Sequence, residues 1–182
     1  MGGVAAVVLA AGAGSRFGGP KQARLLPHVL NRLRDAPITG VVVVLGAHPV
    51  DLEAAAGLRV VRCADWERGP GASLRAGLAE LGPDVDAAVV VLADGPFVSP
   101  AAIERVVGAW REGAGDLVAA SYDGKRSHPV ALGRALWSRI PDDGGRALPV
   151  VLVPCDDLGA PGDVDTPDDL ASIDERLRGE ER

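Results

Sequence analysis

Val4-Ala5-Ala6-Val7-Val8-Leu9-Ala10 is an unbroken apolar run, and Ala11-Gly12-Ala13-Gly14-Ser15-Arg16-Phe17-Gly18-Gly19-Pro20-Lys21 follows it directly. A short apolar run closed by glycines reads as a buried strand entering a turn. It is too short to span a bilayer, and no basic segment precedes it. The glycines allow close approach of an anion and expose backbone N–H groups, and Arg16 and Lys21 add positive charge. Such a loop suits nucleotide phosphates and negative charge developing in phosphoryl transfer. A glycine-rich turn with ordinary surface cations is the competing account. Gln22 follows Lys21 where a Walker A loop needs Ser or Thr, and Gly12, Gly14 and Gly18 miss the dinucleotide spacing. The loop therefore points to phosphate without selecting ATPase or dehydrogenase chemistry.

Beyond this stretch, strand-like runs alternate with helix-like ones. Strands are expected at Gly40–Leu45, Leu58–Cys63, Ala87–Leu92, Leu117–Ser121, His128–Leu132 and Val150–Pro154. Helices are expected near Leu25–Arg34, from Pro49 through Ala56, at Ala72–Leu81, and from Ser99, which can cap a helix opened by Pro100. A short helix is expected around Arg134–Ser138, and Asp165-Thr166-Pro167 signals a final one. This alternation predicts an α/β fold with a single doubly wound, largely parallel sheet. No linker of domain-separating length interrupts it, so residues 1–182 read as one domain.

Composition narrows the function. The net charge of −6 argues against a nonspecific nucleic-acid binder, whose phosphate contacts need a positive surface. Two cysteines make neither a disulfide scaffold nor a cysteine-only zinc site, and Cys63 and Cys155 read as buried structural residues. Trp66, Trp110 and Trp137 are widely separated and read as packing residues, not a stacking platform. No Gly-x-Ser-x-Gly elbow supports acyl hydrolysis. With no targeting signal or lipid anchor, the expected location is cytoplasmic, with no membrane partner.

Asp94 ends the apolar run that begins at Ala87. A carboxylate at a strand's C-terminal end lies where α/β ligands gather, and a hard oxygen suits magnesium. A helix cap or solvated loop acid is the alternative. Asp163 and Asp165 would share one face of an extended segment, although Asp165 is also suited to cap the last helix. Arg68, Ser73 and Arg75 could meet a phosphorylated ligand, or form the polar face of an amphipathic helix. His128, beside Pro129, is either a ligand contact or part of a fixed loop. Lys125 and Arg126 either extend a positive entrance beside it or are ordinary solvent-facing residues.

These motifs occur together in one order. The Leu9–Lys21 loop, Trp66 through Leu78, Leu92-Ala93-Asp94-Gly95-Pro96, Ser127-His128-Pro129-Val130 and Asp163-Val164-Asp165-Thr166-Pro167 resemble the MobA-like nucleotidyltransferases over nearly the whole chain. The opening Leu9-Ala10-Ala11-Gly12 is similar to that of the molybdenum-cofactor cytidylyltransferase branch; guanylyltransferases more often carry Gly at the position of Ala11. The resemblance implies the nucleotide-diphospho-sugar transferase fold. It also implies Mg2+-dependent transfer of a nucleoside monophosphate from CTP to molybdopterin, with release of pyrophosphate. Ala10 and Ala11 would lie near the base, and Gly12, Gly14, Arg16 and Lys21 would hold the triphosphate. Arg16, Lys21 and Asp94 would carry catalysis, with Asp94 and Asp165 at the metal and Asp163 in reserve. Arg68, Ser73, Arg75 and His128 would face the acceptor. A molybdoenzyme or chaperone is the implied protein partner.

Three features depart from this pattern. The connection after Lys21 and the Asp142–Arg146 region are shorter than in many relatives. Gly95 also stands where relatives commonly carry Met. A noncatalytic nucleotide-binding or assembly module, and a sugar-phosphate nucleotidyltransferase, are the competing functions.

Overall fold

A computed structural model describes residues 2–13, 22–52, 57–162, 169 and 173. Seven strands form one sheet: β1 (Gly3–Ala10), β2 (Val41–Leu45), β3 (Leu58–Arg62), β4 (Val85–Leu92), β5 (Leu117–Tyr122), β6 (Lys125–Gly133) and β7 (Val151–Pro154). Their order is β3-β2-β1-β4-β6-β5-β7. The helices given bounds among the described residues are α1 (Gln22–Leu33), α2 (Pro70–Ala79) and α3 (Pro100–Arg111).

The sheet is buried on both faces, so its central strands need no polar side. Alternate residues of β1 point to opposite helical layers. Val4, Ala6, Val8 and Ala10 join Leu26 and Val29 of α1 and Ile103 and Val107 of α3. Val7 joins Leu74 and Leu78 of α2. Burial at i, i+3, i+4 and i+7 in α1, from Gln22 through Leu25, Leu26 and Val29, is the one-face pattern of a helix on a sheet. Ser99 caps α3 by accepting from the Ala102 N–H at 3.4 Å, with Pro100 in the first turn.

The expected parallel arrangement holds except at β6, which runs antiparallel to both β4 and β5. Its cause is local. Asp123 and Gly124 join β5 to β6 with positive φ angles of 51° and 71°. Asp-Gly in this conformation makes the tight reversal whose twist matches paired strands. The sheet is therefore mixed.

The edge strands β3 and β7 expose Val60, Val151 and Leu152. The expected helix through Ala56 falls partly outside the described residues, as does the expected final helix. The expected helix near Arg134 is a 3-10 turn over Arg134–Arg139. Cys63 and Cys155 are free and buried, and burial pushes the Cys155 thiol up, so that thiol is not poised as a nucleophile. No helix among the described residues is long and apolar enough to cross a membrane.

Candidate active site

The strands β1 and β4 run side by side and end together, with Leu9 paired to Leu92. Past their ends the Ala93 N–H donates to the Leu9 carbonyl at 3.0 Å. This bond places the start of the glycine loop beside Asp94, the first charged residue after a buried strand. Ala10 and Ala11 are buried and Gly12 is exposed. Residue 46 approaches so closely that a Cβ there would stand 2.5 Å from the Ala11 carbonyl oxygen and 2.8 Å from the Ala11 methyl. The Ala11 side chain thus packs beneath the turn, against residue 46. Gly14, Arg16 and Lys21 lie outside the described residues.

After Asp94 the chain turns tightly, with the Gly95 N–H donating to Leu92 O at 3.2 Å and the Phe97 N–H to Pro161 O at 2.9 Å. A Cβ on Gly95 would stand 3.2 Å from the Pro161 Cβ and 3.4 Å from the Gly162 oxygen. Residues 161–162 therefore occupy the ground that a larger side chain at 95 would take. The Pro161 side chain and the Gly162 carbonyl take the space a larger side chain would use. Gly162 immediately precedes Asp163; Asp163 and Asp165 lie outside the described residues. Among the described residues no three His, Cys, Asp or Glu side chains gather to hold a metal. Asp94 nonetheless suits magnesium, which binds through one or two carboxylates and keeps water and phosphate oxygens.

His128 reaches the same edge because β6 is reversed. Val130 pairs with Val90, and continuing that register by two residues brings His128 level with Leu92. His128 lines a cavity of about 10 Å³ together with Ser127, Gly95 and Pro161. Burial lowers its pKa to about 4, against the opposing pull of the Asp94 carboxylate, so the imidazole is neutral near pH ~7.

Arg68 and Arg75 converge on one residue that sequence reading did not single out. Arg75 donates to the Ile140 carbonyl at 2.7 Å and to the Asp142 carboxylate at 2.5 Å, and Arg68 pairs with the same carboxylate at 3.3 Å. The Arg75 hydrogen bond, with Arg68 beside it, holds the Asp142 carboxyl below its ordinary value. The Gly71 N–H donates to Asp142 O at 3.0 Å, so the 140–142 turn also caps the start of α2. Only glycine fits at 71, because a Cβ would stand 1.8 Å from the Pro141 oxygen. Both terminal nitrogens of Arg75 are thereby bonded within the chain, and the side chain fastens this turn. Ser73 is buried on the same helix.

Sequence reading also passed over Gln22 and His48. Gln22 donates to Gly12 O at 2.8 Å, and the His48 Nε2 lies 2.9 Å from Ala13 O. A buried amide directly after the loop lysine was the available signal for Gln22; His48 carried none.

A family model described as the MobA-like NTP transferase domain matches residues 6–152. Among proteins of curated function, none matches the chain in sequence. Among solved structures, Rv0371c from Mycobacterium tuberculosis is similar at 29% identity and a TM-score of 0.76, over 94% of this chain and 97% of that one. A manganese complex of Rv0371c is similar at 26% identity and a TM-score of 0.72, over 94% and 97% of the two chains. Molybdopterin-guanine dinucleotide biosynthesis protein A from Archaeoglobus fulgidus shares the fold at 18% identity and a TM-score of 0.68, over 96% and 99%. CMP:2-keto-3-deoxy-manno-octonic acid synthetase, complexed with CTP, shares it at 14% and 0.71, over 98% and 99%.

Proposed function

The chain belongs to the MobA-like NTP transferase family, and from that premise we propose that it transfers a cytidylyl group from CTP to the phosphate of molybdopterin. An acceptor phosphate oxygen attacks the α-phosphorus of CTP. The α–β bridging P–O bond breaks, and pyrophosphate leaves with the bonding electrons. The observation that carries the reading is the junction of β1 and β4, where the Ala93–Leu9 hydrogen bond sets the glycine loop beside Asp94.

In this reading Gly12, Gly14, Arg16 and Lys21 hold the triphosphate in line for attack, and the cations offset charge that builds on it. Asp94 and Asp165 would hold a Mg2+ ion; Gly162, the last described residue before Asp163, lies against Gly95, next to Asp94. When bound, the ion supplies Lewis-acid stabilisation of the phosphate oxygens. Rv0371c, which is similar to this chain, forms a complex with manganese, and this supports the use of a divalent cation. His128, neutral, stands on the acceptor side as a hydrogen-bonding group that adds no charge, and Arg68 adds positive charge near the start of α2. Arg75 keeps the 140–142 turn in place beneath it. The Leu9-Ala10-Ala11-Gly12 opening supports cytidine. With Ala11 packed beneath the turn, the base would be read by backbone groups.

The test is a competition assay with CTP, GTP and ATP, Mg2+, and molybdopterin or sugar phosphates, reading pyrophosphate release and product mass. A CTP preference of about tenfold or more in turnover efficiency and a cytidylated molybdopterin product are expected. Equal efficiency or a GTP preference overturns the base assignment. A nucleotide-sugar product transfers the acceptor assignment to sugar phosphates.

A further inference from the structure

Three successive carbonyls at the end of β1 are each held from within the protein. The Ala11 oxygen accepts the Ala47 N–H at 3.1 Å. The Gly12 oxygen accepts the Gln22 Nε2–H at 2.8 Å, and the Ala13 oxygen lies 2.9 Å from His48 Nε2. In a planar trans peptide the C=O and the following N–H point in opposite directions. Fixing the Ala11 and Gly12 oxygens therefore turns the N–H groups of Gly12 and Ala13 the other way. Among the described residues no acceptor takes either N–H.

Polyphosphate makes this orientation matter. A loop that meets an anion must offer N–H groups; an inward carbonyl oxygen would set partial negative charge against phosphate. Glycine and alanine cannot enforce the choice themselves, because small residues leave the peptide planes free to turn. The two side-chain donors supply that constraint. Gln22 is 5% exposed, and its Oε1 is buried without an acceptor role among the described residues. Its amide orientation follows from the bond, since the reverse would set oxygen against oxygen. His48 must carry its proton on Nε2 to donate.

We propose that Gln22 and His48 are positioning residues for nucleotide binding: they hold the Gly12 and Ala13 carbonyls back so that the loop presents amides to the triphosphate. This rests on the nucleotidyltransferase reading of the same loop. Neither side chain needs to touch the nucleotide.

The experiment compares wild type with Gln22→Met, Gln22→Glu, His48→Leu and His48→Gln. Calorimetry measures the Kd for magnesium–CTP, steady-state kinetics the KM for CTP and for the acceptor, and melting the fold. Gln22→Met and His48→Leu should each weaken CTP by about tenfold, the scale of one lost hydrogen bond. The acceptor KM should stay unchanged. Gln22→Glu, which keeps the shape but turns a second oxygen on the Gly12 carbonyl, should weaken CTP further. His48→Gln, which can return a donor near the Nε2 position, should recover most of the loss. Gln22→Glu and His48→Gln carry the comparison if the apolar variants melt early. Folded variants with a CTP Kd within about twofold of wild type overturn the positioning role while leaving the nucleotidyltransferase reading intact. A folded wild type that binds none of CTP, GTP and ATP overturns that reading and this inference with it.

Discussion

Arg75 and Asp142, 67 positions apart, are joined by a 2.5 Å contact that ties the start of α2 to the turn before β7. Arg68 shares the same carboxylate. The pairing has a pH signature. Asp142 has a lowered pKa in the folded state, so its contribution is complete above the ordinary carboxylate range of about 4. It is lost as pH falls through the lower folded value. Asp142→Asn should therefore melt below wild type near pH ~7, and the two curves should converge in acid. Melting temperatures across pH check this; a difference independent of pH would discard the ionic account.

His128 gives the same sign from a base. Its folded pKa, about 4, lies below the unfolded value of about 6.5, so the unfolded chain binds the proton more readily. Its contribution to stability is complete above about pH 6.5, falls by roughly 3 kcal/mol as pH drops toward 4, and then levels. In the absence of divalent metal, His128→Gln should flatten the stability curve in this window. Imidazole NMR should show no titration of His128 between about pH 5.5 and 8; a midpoint near 6.5 would refute the buried neutral form.

Asp94→Asn keeps the volume and removes the ionised oxygen. Metal-dependent turnover should fall by about two orders of magnitude, the scale of losing one group that stabilises transition-state charge, while nucleotide affinity changes much less. Single-turnover rates beside a calorimetric Kd separate these effects. Normal turnover at saturation with weakened binding would remove Asp94 from the chemistry.

Gly71→Ala should be the most damaging small change on α2. The added Cβ would meet the Pro141 oxygen at 1.8 Å, so the 140–142 turn must move and the Gly71–Asp142 hydrogen bond must break. Overpacking of this kind costs about 1–3 kcal/mol. Chemical denaturation measures it, and an unchanged midpoint would show that the turn shifts freely.

The alternation of apolar runs with amphipathic stretches made the layered α/β fold legible, because strands buried on both faces cannot carry polar residues. The reversal of β6 was less so. His128–Leu132 reads as a strand in either direction, and the informative signal was Asp123-Gly124 between two runs. Asp94 was legible because a charge rarely follows seven apolar residues without cause. Asp142 and Arg75 were not, since an ion pair spanning 67 positions leaves no local periodicity. The packing of Ala11 was hidden for a related reason: its burial depends on the approach of Gly46, a contact made only after folding.

The reversed direction of β6 has a consequence for how such a pocket diverges. Parallel strands can offer a ligand only their exits, whereas a reversed strand brings its beginning to that same rim. In the proposed reading the exits of β1 and β4 carry the donor half, and His128 comes to the same rim from β6. Its hairpin turn at Asp123-Gly124 projects from the rim and is fastened by the Asp123 N–H to the Asp156 carboxylate at 2.6 Å. Lengthening or recolouring that turn would reshape the second substrate's berth without disturbing the nucleotide's. Donor choice and acceptor choice can thus drift separately within one sheet.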